Sequence, residues 1–367
     1  MDYFTVLAIE SSCDETAVAI LKAPRLADKN EGASPEAPVL LTSIISTQIA
    51  IHRQHGGVVP ELASRNHSAD LPHVIRQACH EAKLSPNEVD VFAATSGPGL
   101  VAALLVGNST GKALALATGK PYIAVNHLEG HLLSPFITHA EEPPPHLALV
   151  VSGGHTLFID VKEFGNYDLI GRSQDDAAGE AFDKVGKMLG LPYPGGPEID
   201  ARAKSGNPTA FNFPRGLIKQ DNLDVSFSGL KTSVLYTLPK ITKTGNPAEL
   251  SEQMLNDLCA SFQQAVIDVL CSKAMRALKQ TGHHTLALSG GVSCNSALRT
   301  QLQVYCDKNN IQLILPKSIH TTDNAAMIAY AAMLHARHGQ YDSLNQDVNP
   351  NLRLTQNLNR SKIDRNY

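Results

Sequence analysis

A strand, a short polar turn and a second strand occur twice in this sequence, and this repeat constrains the fold more than any other feature. The first copy covers residues 3–21 and the second covers residues 147–161. Between them, a strand at 89–94 runs through a Ser-Gly-Pro-Gly turn into an apolar helix at 100–118. A strand, glycine turn and helix in this order are typical of an α/β sheet. The sequence therefore predicts an α/β fold, with internal duplication as a hypothesis to test.

Length and composition narrow the class of protein. A chain of 367 residues is long enough for two domains or one bilobed domain. It can also form a stable hydrophobic core without disulfide bonds or bound metal ions. Its 43% hydrophobic and 18% charged residues are those of a globular protein, not of a disordered chain or a coiled coil. The lack of Trp argues against a base-stacking platform. A net charge of -4 argues against a protein that binds nucleic acid unaided.

The cysteines and the apolar runs predict a cytoplasmic protein. The six cysteines include no CxxC pair, which excludes zinc-ribbon and thioredoxin motifs, and scattered thiols suit a reducing compartment. The N-terminus enters a strand without a basic leader. The apolar runs at 101–106 and 147–151 are too short to span a bilayer, so no membrane partner is expected.

Connecting segments and further helices can be placed along the chain. Residues 22–38 are rich in Pro, Ala, Asn and charge and predict a surface insert or long hairpin loop. The Pro-rich segment 141–145 is the best linker candidate, and the polar residues after 342 predict a loosely packed tail. Further helices are predicted by patterns at 68–82, 179–189, 251–280, 295–306 and 324–338.

Three polar glycine turns follow apolar strands, at 10–16, 152–156 and 289–293. Glycine allows a close approach of the backbone, and exposed N–H groups can face an anion. The third turn also opens a helix, whose N-terminus favours phosphate. None matches the P-loop or GxGxxG pattern, and plain hairpin chemistry is the alternative for each turn alone.

His127 and His131 stand four residues apart, so on a helix they project from one face and can share a metal ion. The order is not HExxH, because Glu129 does not directly follow His127, so the zinc-protease base is not where that chemistry needs it. Two histidines in a partly buried helix are the alternative. Asp323 is the candidate third ligand, and its alternative role is a helix N-cap.

Residues 175–184 are dense in carboxylates, and Glu180 and Asp183 share one helical face. One interpretation is a solvated helix start with acids near the positive end of the dipole. The other is the binding of ribose hydroxyls, which carboxylates accept well. Residues 193–197 and Asp200 then form a rigid loop that could line a nucleotide site.

These motifs, in this order, resemble those of the tRNA threonylcarbamoyladenosine transferases in their bacterial form, a family once classed as glycoproteases. The matching text lies at 9–16, 55–67, 95–100, 126–131, 151–156, 175–184, 193–197, 226–232, 289–295 and 323–326. Departures are few: segment 22–38 looks long, and Cys294 stands where a small residue is more usual.

The resemblance implies an actin-like fold of the sugar-kinase and Hsp70 type, with two duplicated lobes and the ligand in the cleft between them. Residues 1–125, completed by helix 324–340, would form the first lobe and residues 126–323 the second, followed by the tail 342–367.

The resemblance also implies a reaction. A threonylcarbamoyl group passes from threonylcarbamoyl-AMP to the exocyclic amine of the adenosine 3′ of the anticodon, in tRNAs that read codons beginning with A. One divalent metal per subunit, iron or alternatively zinc, would be held by His127, His131 and Asp323. The general base stays open, with Glu15 as the favoured candidate. The nucleotide would contact Val150, Val151, Ser152, Gly153, Gly154, Asp183, Gly196, Asp200 and Asn295.

The implied partners are tRNA, a shorter paralogous actin-like subunit, a P-loop ATPase subunit and a separate enzyme that makes the intermediate. A net charge of -4 gives this chain few basic groups to spare for the phosphates of tRNA, and such partners could supply those contacts. Three alternatives stay open: a metallopeptidase acting on glycoproteins, a small-molecule kinase or ATPase of the same fold, and a binding subunit with a dead site.

Overall fold

A computed structural model describes residues 3–25 and 36–354 of the chain and the backbone of residues 361–362. The chain divides into two compact units, one of Met1–Pro144 with Asp323–Tyr367 and the other of Pro145–Thr322, here called unit 1 and unit 2. The boundary between them falls inside the Pro-rich segment 141–145. The lobe boundary expected after residue 125 lies earlier than this division. Residues 126–144 belong to unit 1, because their helix packs on the helix that follows residue 323.

Unit 1 is built on a five-stranded sheet. Its strands are β1 (Tyr3–Glu10), β2 (Glu15–Pro24), β3 (Val39–Thr47), β4 (Val91–Gly97) and β5 (Tyr122–Asn126). The order is β3-β2-β1-β4-β5, with β1, β4 and β5 parallel and β2 antiparallel to both of its neighbours. The apolar runs of β1 and β4 are buried throughout, as expected for central strands covered on both faces.

The helices of unit 1 cover this sheet. They are α1 (Ile49–Arg53), α2 (Pro60–Ala82), α3 (Val101–Thr118), α4 (His127–Leu133) and α10 (Ala325–Arg337). Helix α2 begins before the predicted start after residue 67, because Pro60 occupies the first helical turn, where its missing N–H costs nothing. Helix α3 ends at Gly119, a left-handed cap.

Helix α3 combines length with an apolar composition. Its 18 residues, with a mean hydropathy of 1.2, make it the one helix in the described part of the chain long and apolar enough to cross a membrane. Polar residues between Asn108 and Lys112 interrupt this helix, so its uninterrupted apolar runs are as short as the sequence indicates. Because α3 packs against β4 and α2, its composition is also that of a helix that covers a sheet.

Unit 2 repeats the plan of unit 1. Its strands are β6 (His146–Val151), β7 (Thr156–Glu163), β8 (Asn166–Arg172), β9 (Thr285–Ser289) and β10 (Gln312–Ile314). The order is β8-β7-β6-β9-β10, and β6, β9 and β10 are parallel while β7 is antiparallel to its neighbours. Strand for strand, this is the topology of unit 1, so the duplication hypothesis is confirmed.

Five helices accompany this second sheet. They are α5 (Ala178–Met188), α6 (Gly195–Ala203), α7 (Ser228–Ile241), α8 (Glu252–Thr281) and α9 (Ser296–Lys308). Helix α8 begins at its N-cap Ser251, whose hydroxyl accepts from Met254 N, and most of its length is buried against the sheet and α7.

The sequence predicts a loosely packed tail after residue 342. Residues 342–354 are instead held to the sheet of unit 1 by hydrogen bonds. Asp342 Oδ2 accepts a hydrogen bond from Ala124 N at 2.8 Å, and Asn349 N donates to Ser96 O at 2.8 Å. Asn126 Nδ2 donates to Arg353 O at 3.2 Å. Leu352 is buried. The ends of β4 and β5 carry backbone groups that need partners, and this segment supplies them. The short strands β11 (Gln340–Tyr341) and β12 (Ser361–Lys362) pair antiparallel.

The predicted insert at 22–38 lies between β2 and β3. Strand β2 extends to Pro24, into the predicted insert, and β3 begins at Val39, directly after it. Residues 26–35 lie outside the described residues.

Gly97 provides a test of the tail contact. A Cβ at this position would overlap the carbonyl of Asn349, and its φ of +150° favours glycine. We expect Gly97→Ala to displace residues 349–352 and to lower the free energy of unfolding by about 1–3 kcal/mol in chemical denaturation.

Gly229→Ala is the matched control, because a Cβ there meets no atom within 4 Å. It should be neutral or slightly stabilising in α7. Equal stability of the two variants would contradict the proposed packing of the tail.

Candidate functional site

The two histidines and the late aspartate converge in unit 1. His127 and His131 lie on α4, which starts directly after β5, and Asn126 caps this helix by accepting from Leu128 N at 2.8 Å. Asp323 comes just before α10. It is not the N-cap of that helix, because Asn324 holds that role by accepting from Met327 N at 3.0 Å. The side chain of Asp323 is thus not committed to capping.

The geometry of these three residues fits a metal ion. His131 Nε2 lies 3.0 Å and His127 Nε2 lies 3.5 Å from the same oxygen, Asp323 Oδ1. One ligand atom from each residue falls within 4.8 Å of the others. Ligands about 2.1 Å from a tetrahedral ion lie about 3.4 Å apart, so the spacing suits one ion. Two imidazoles and a carboxylate are a donor set for iron or zinc.

Glu10, the last residue of β1, is a member of this site that sequence reasoning missed. Its carboxylate lies 3.0 Å from His127 Nδ1 and is completely buried. Burial lowers the pKa of His127, but the charges of Asp323 and Glu10 outweigh it and raise that pKa to about 9. For Glu10, burial raises the pKa, and the contacts with His127 and Ser12 bring it below its usual range. The sequence signal that could have identified Glu10 is its position as an acidic residue at the end of an apolar strand.

Glu15, the candidate general base, is the first residue of β2. Burial, together with the charges of Asp323 and Asp14, raises its pKa to about 10. A cation at the cluster would oppose this shift, because positive charge favours the ionised carboxylate.

Unit 2 contains a pocket of about 330 Å³, a size typical of small-molecule sites. Five of the residues predicted to bind nucleotide line it: Gly153, Asp183, Gly196, Asp200 and Asn295. The other four, Val150, Val151, Ser152 and Gly154, belong to β6 and its turn and are not among the lining residues.

Glycines allow the turns around this pocket to approach one another. Gly290 has a φ of +85°, and a Cβ there would overlap the carbonyl of Val151. A Cβ at Gly179 would lie 2.5 Å from Ser152 O. At Gly153, in contrast, a Cβ meets no atom within 4 Å, so this side of the turn is open. Glycine thus serves close backbone packing at two positions and leaves space at the third.

The polar residues that line the pocket also hold its walls together. Asp183 Oδ1 accepts from Gly195 N at 2.8 Å, which joins α5 to the start of α6. Asp200 accepts from the Ser296 hydroxyl at 3.0 Å. Asn295 caps α9 through Leu298 N, and its amide donates to Gln263 at 2.6 Å. Both polar atoms of the Asn295 side-chain amide are therefore already hydrogen-bonded within the protein.

The remaining carboxylates of 175–184 have structural partners. Asp175 accepts from the Ser226 and Ser228 hydroxyls at 2.5 and 2.6 Å and from Phe227 N at 2.8 Å, so it caps α7 from outside that helix. Burial raises the pKa of Asp175, but these hydrogen bonds lower it below its usual value. Asp176 pairs with Lys184 at 2.8 Å.

Glu180 also pairs with Lys184, at 2.7 Å. The two interpretations of residues 175–184, a helix start with structural acids and a site for ribose hydroxyls, thus apply to different residues of the segment. Asp175, Asp176 and Glu180 have structural contacts, while Asp183 lines the pocket.

Comparison with solved structures supports the fold. Full-length HypF, solved in its phosphate- and nucleotide-bound form, matches 91% of this chain with a TM-score of 0.56, and the match covers 55% of the HypF chain. The sequence identity is 12%, so this likeness concerns the fold alone.

Comparison with sequences identifies the family. The family model described as TsaD, tRNA N6-adenosine threonylcarbamoyltransferase, matches residues 39–330. A protein of that name from Clostridioides difficile is 44% identical over 97% of this chain and 100% of its own length. One from Pelobacter propionicus is 48% identical over 94% of this chain and 95% of its own length. On this evidence, the chain belongs to the tRNA N6-adenosine threonylcarbamoyltransferase family.

Proposed function

We propose that this transferase moves the threonylcarbamoyl group of threonylcarbamoyl-AMP to the exocyclic amine of the adenosine 3′ of the anticodon, in tRNAs that read codons beginning with A. Family membership supports the reaction. The observation that carries the assignment of residues is the approach of His127, His131 and Asp323 to within 4.8 Å of one another.

In this proposal His127, His131 and Asp323 hold one divalent ion, iron or alternatively zinc. When bound, the ion supplies a Lewis acid for an oxygen of the substrate's carbamoyl or carboxylate group. Glu15, at the start of β2, is the proposed acceptor of the proton that the attacking amine loses, in the ionised form that a bound cation favours.

The pocket of unit 2 is the proposed site for the AMP part of the substrate. Its glycine turns can place backbone N–H groups on the phosphate, and Asp183 and Asp200 can accept from ribose hydroxyls. The walls are held by the hydrogen bonds of these same carboxylates, so little rearrangement is needed on binding.

The bond changes need no covalent enzyme intermediate. The adenine N6 forms a bond to the carbamoyl carbon, and the bond from that carbon to the phosphate oxygen breaks. AMP leaves with the bonding electron pair, and the amine loses one proton. The residues therefore need only bind, orient and accept a proton.

One contact argues against the metallopeptidase alternative. Glu129, which lies between the two histidines in sequence, directs Oε2 to His335 Nε2 at 2.8 Å and is buried. Its carboxylate is committed to α10, so it is badly placed as a general base for peptide hydrolysis.

The implied partners and location are part of the same proposal. Helix α3 exposes large apolar side chains at Val101, Leu105 and Leu116, which are 51%, 49% and 71% exposed. An apolar helix face of this kind suits a partner protein such as the shorter paralogous subunit. The P-loop ATPase subunit, the enzyme that makes the intermediate and a cytoplasmic location follow from the family resemblance.

Reconstitution with threonylcarbamoyl-AMP, the partner subunits and an anticodon stem-loop tests the reaction. We expect threonylcarbamoyladenosine in the digested RNA with the wild-type chain. With His131→Ala we expect no product above the enzyme-free background, because a metal ligand is lost.

His338→Ala is the control for this variant, since it removes an exposed histidine paired with Glu142 and should leave the yield unchanged. Full activity of His131→Ala would overturn the proposed centre. Phosphoryl transfer from ATP without product would favour the kinase alternative instead.

The nucleotide pocket is tested by calorimetry with AMP as the probe. Asp200→Asn should weaken AMP binding about tenfold or more, because an ionised acceptor is replaced by a neutral amide. Asp268→Asn breaks an ion pair with Arg215 and removes no pocket residue, so its affinity should equal that of the wild type. Equal affinities for all three proteins would contradict the assignment.

Binding of tRNA is expected to be weak for the chain alone, because its net charge is -4. We expect a dissociation constant of about 10⁻⁴–10⁻⁶ M for a labelled tRNA at physiological salt, measured by fluorescence anisotropy. Addition of the partner subunits should tighten it. Nanomolar binding by the isolated chain would show that the partners are not needed for phosphate contacts.

A further inference from the structure

We infer that Glu10 is a positioning residue for the metal centre, holding His127 in the tautomer and orientation in which Nε2 binds the ion. This inference rests on the proposed function, since it assumes that His127 is a metal ligand. It adds a residue outside the three-ligand set.

The surroundings of Glu10 make its carboxylate a fixed acceptor. Oε1 accepts from Ser12 N at 2.6 Å, and Oε2 accepts from the Thr95 hydroxyl at 2.6 Å. The residue has no exposed surface. Both oxygens are therefore oriented by groups on β4 and on the turn after β1, and Oε2 lies 3.0 Å from His127 Nδ1.

This arrangement selects one tautomer of His127. An ionised carboxylate can only accept hydrogen bonds, so His127 Nδ1 must carry the proton in their contact. In the neutral ring, which is the form that can bind a metal ion, Nδ1 carries the single N–H and Nε2 keeps its lone pair. Nε2 is also the atom that faces Asp323 Oδ1, at 3.5 Å. The Ser12 hydroxyl, 3.2 Å from Nδ1, is a neutral and more distant second contact.

The second histidine has no such support. His131 Nδ1 is buried and has no hydrogen-bond partner among the described residues. Its other nitrogen, Nε2, contacts the proposed ligand Asp323 at 3.0 Å, and α10 packs closely at Gly130, where a Cβ would lie 2.9 Å from Ile328 Cδ1. Of the two imidazoles, only that of His127 has its Nδ1 in contact with a carboxylate within the described part of the chain.

Loss of a carboxylate that orients a metal-bound histidine commonly weakens metal binding by about 10–100-fold. We therefore expect Glu10→Gln, which keeps the shape and removes the charge, to raise the dissociation constant for Zn²⁺ by about that factor. The measurement is competition of the metal-free chain with a chromophoric chelator. Thermal unfolding without metal checks that the variant is folded.

Glu129→Gln is the matched control. Glu129 is another buried carboxylate of unit 1 paired with a histidine, but its partner His335 is not a proposed ligand. We expect it to leave Zn²⁺ affinity unchanged. In a His127→Ala background, Glu10→Gln should have no further effect on affinity, because the two residues act through one contact.

The outcomes separate this inference from the proposed function. If the wild type binds Zn²⁺ no better than His131→Ala, the proposed metal centre itself is wrong. If His131→Ala loses binding but Glu10→Gln equals the wild type, only the role of Glu10 is wrong. Should Glu10→Gln not fold, the Zn²⁺-loaded wild type labelled with ¹⁵N-histidine decides by NMR: a proton on His127 Nδ1 supports the inference, and a bare Nδ1 overturns it.

Discussion

The parallel direction of three strands is the constraint on which unit 1 depends. Because β1, β4 and β5 run the same way, their carboxyl ends meet at one edge of the sheet. Glu10 ends β1, Thr95 lies near the end of β4, and His127 follows β5 directly. A buried carboxylate at such a place is costly unless it is fully paired, and its three donors satisfy that requirement. The local fold and the candidate chemistry therefore rest on the same contacts.

The same topology yields a different site in unit 2. There the carboxyl ends of β6 and β9 lead into glycine turns, and Gly290 and Gly179 let those turns pack closely. The result is a pocket lined by backbone and a few carboxylates, with no counterpart of the histidine cluster among its lining residues. One duplicated sheet plan thus carries two kinds of chemistry, determined by the residues that follow its strands.

Much of this could be predicted from the sequence, where the signal was local. The order of strands and helices follows from hydrophobic periodicity, and His127 and His131 follow from their spacing on one helix face. The contact of Glu10 with His127 joins residues far apart in the chain, and no periodic pattern encodes it. The docking of residues 349–353 escaped prediction for another reason: this polar segment is held by backbone hydrogen bonds, which composition does not reveal.

X-ray absorption at the metal edge of the loaded chain tests the central claim most directly, namely that His127, His131 and Asp323 hold the ion. The account predicts imidazole backscattering from two histidines together with oxygen ligands, at about 2.0–2.2 Å. A shell that contains sulfur, or oxygen alone without imidazole, would contradict it.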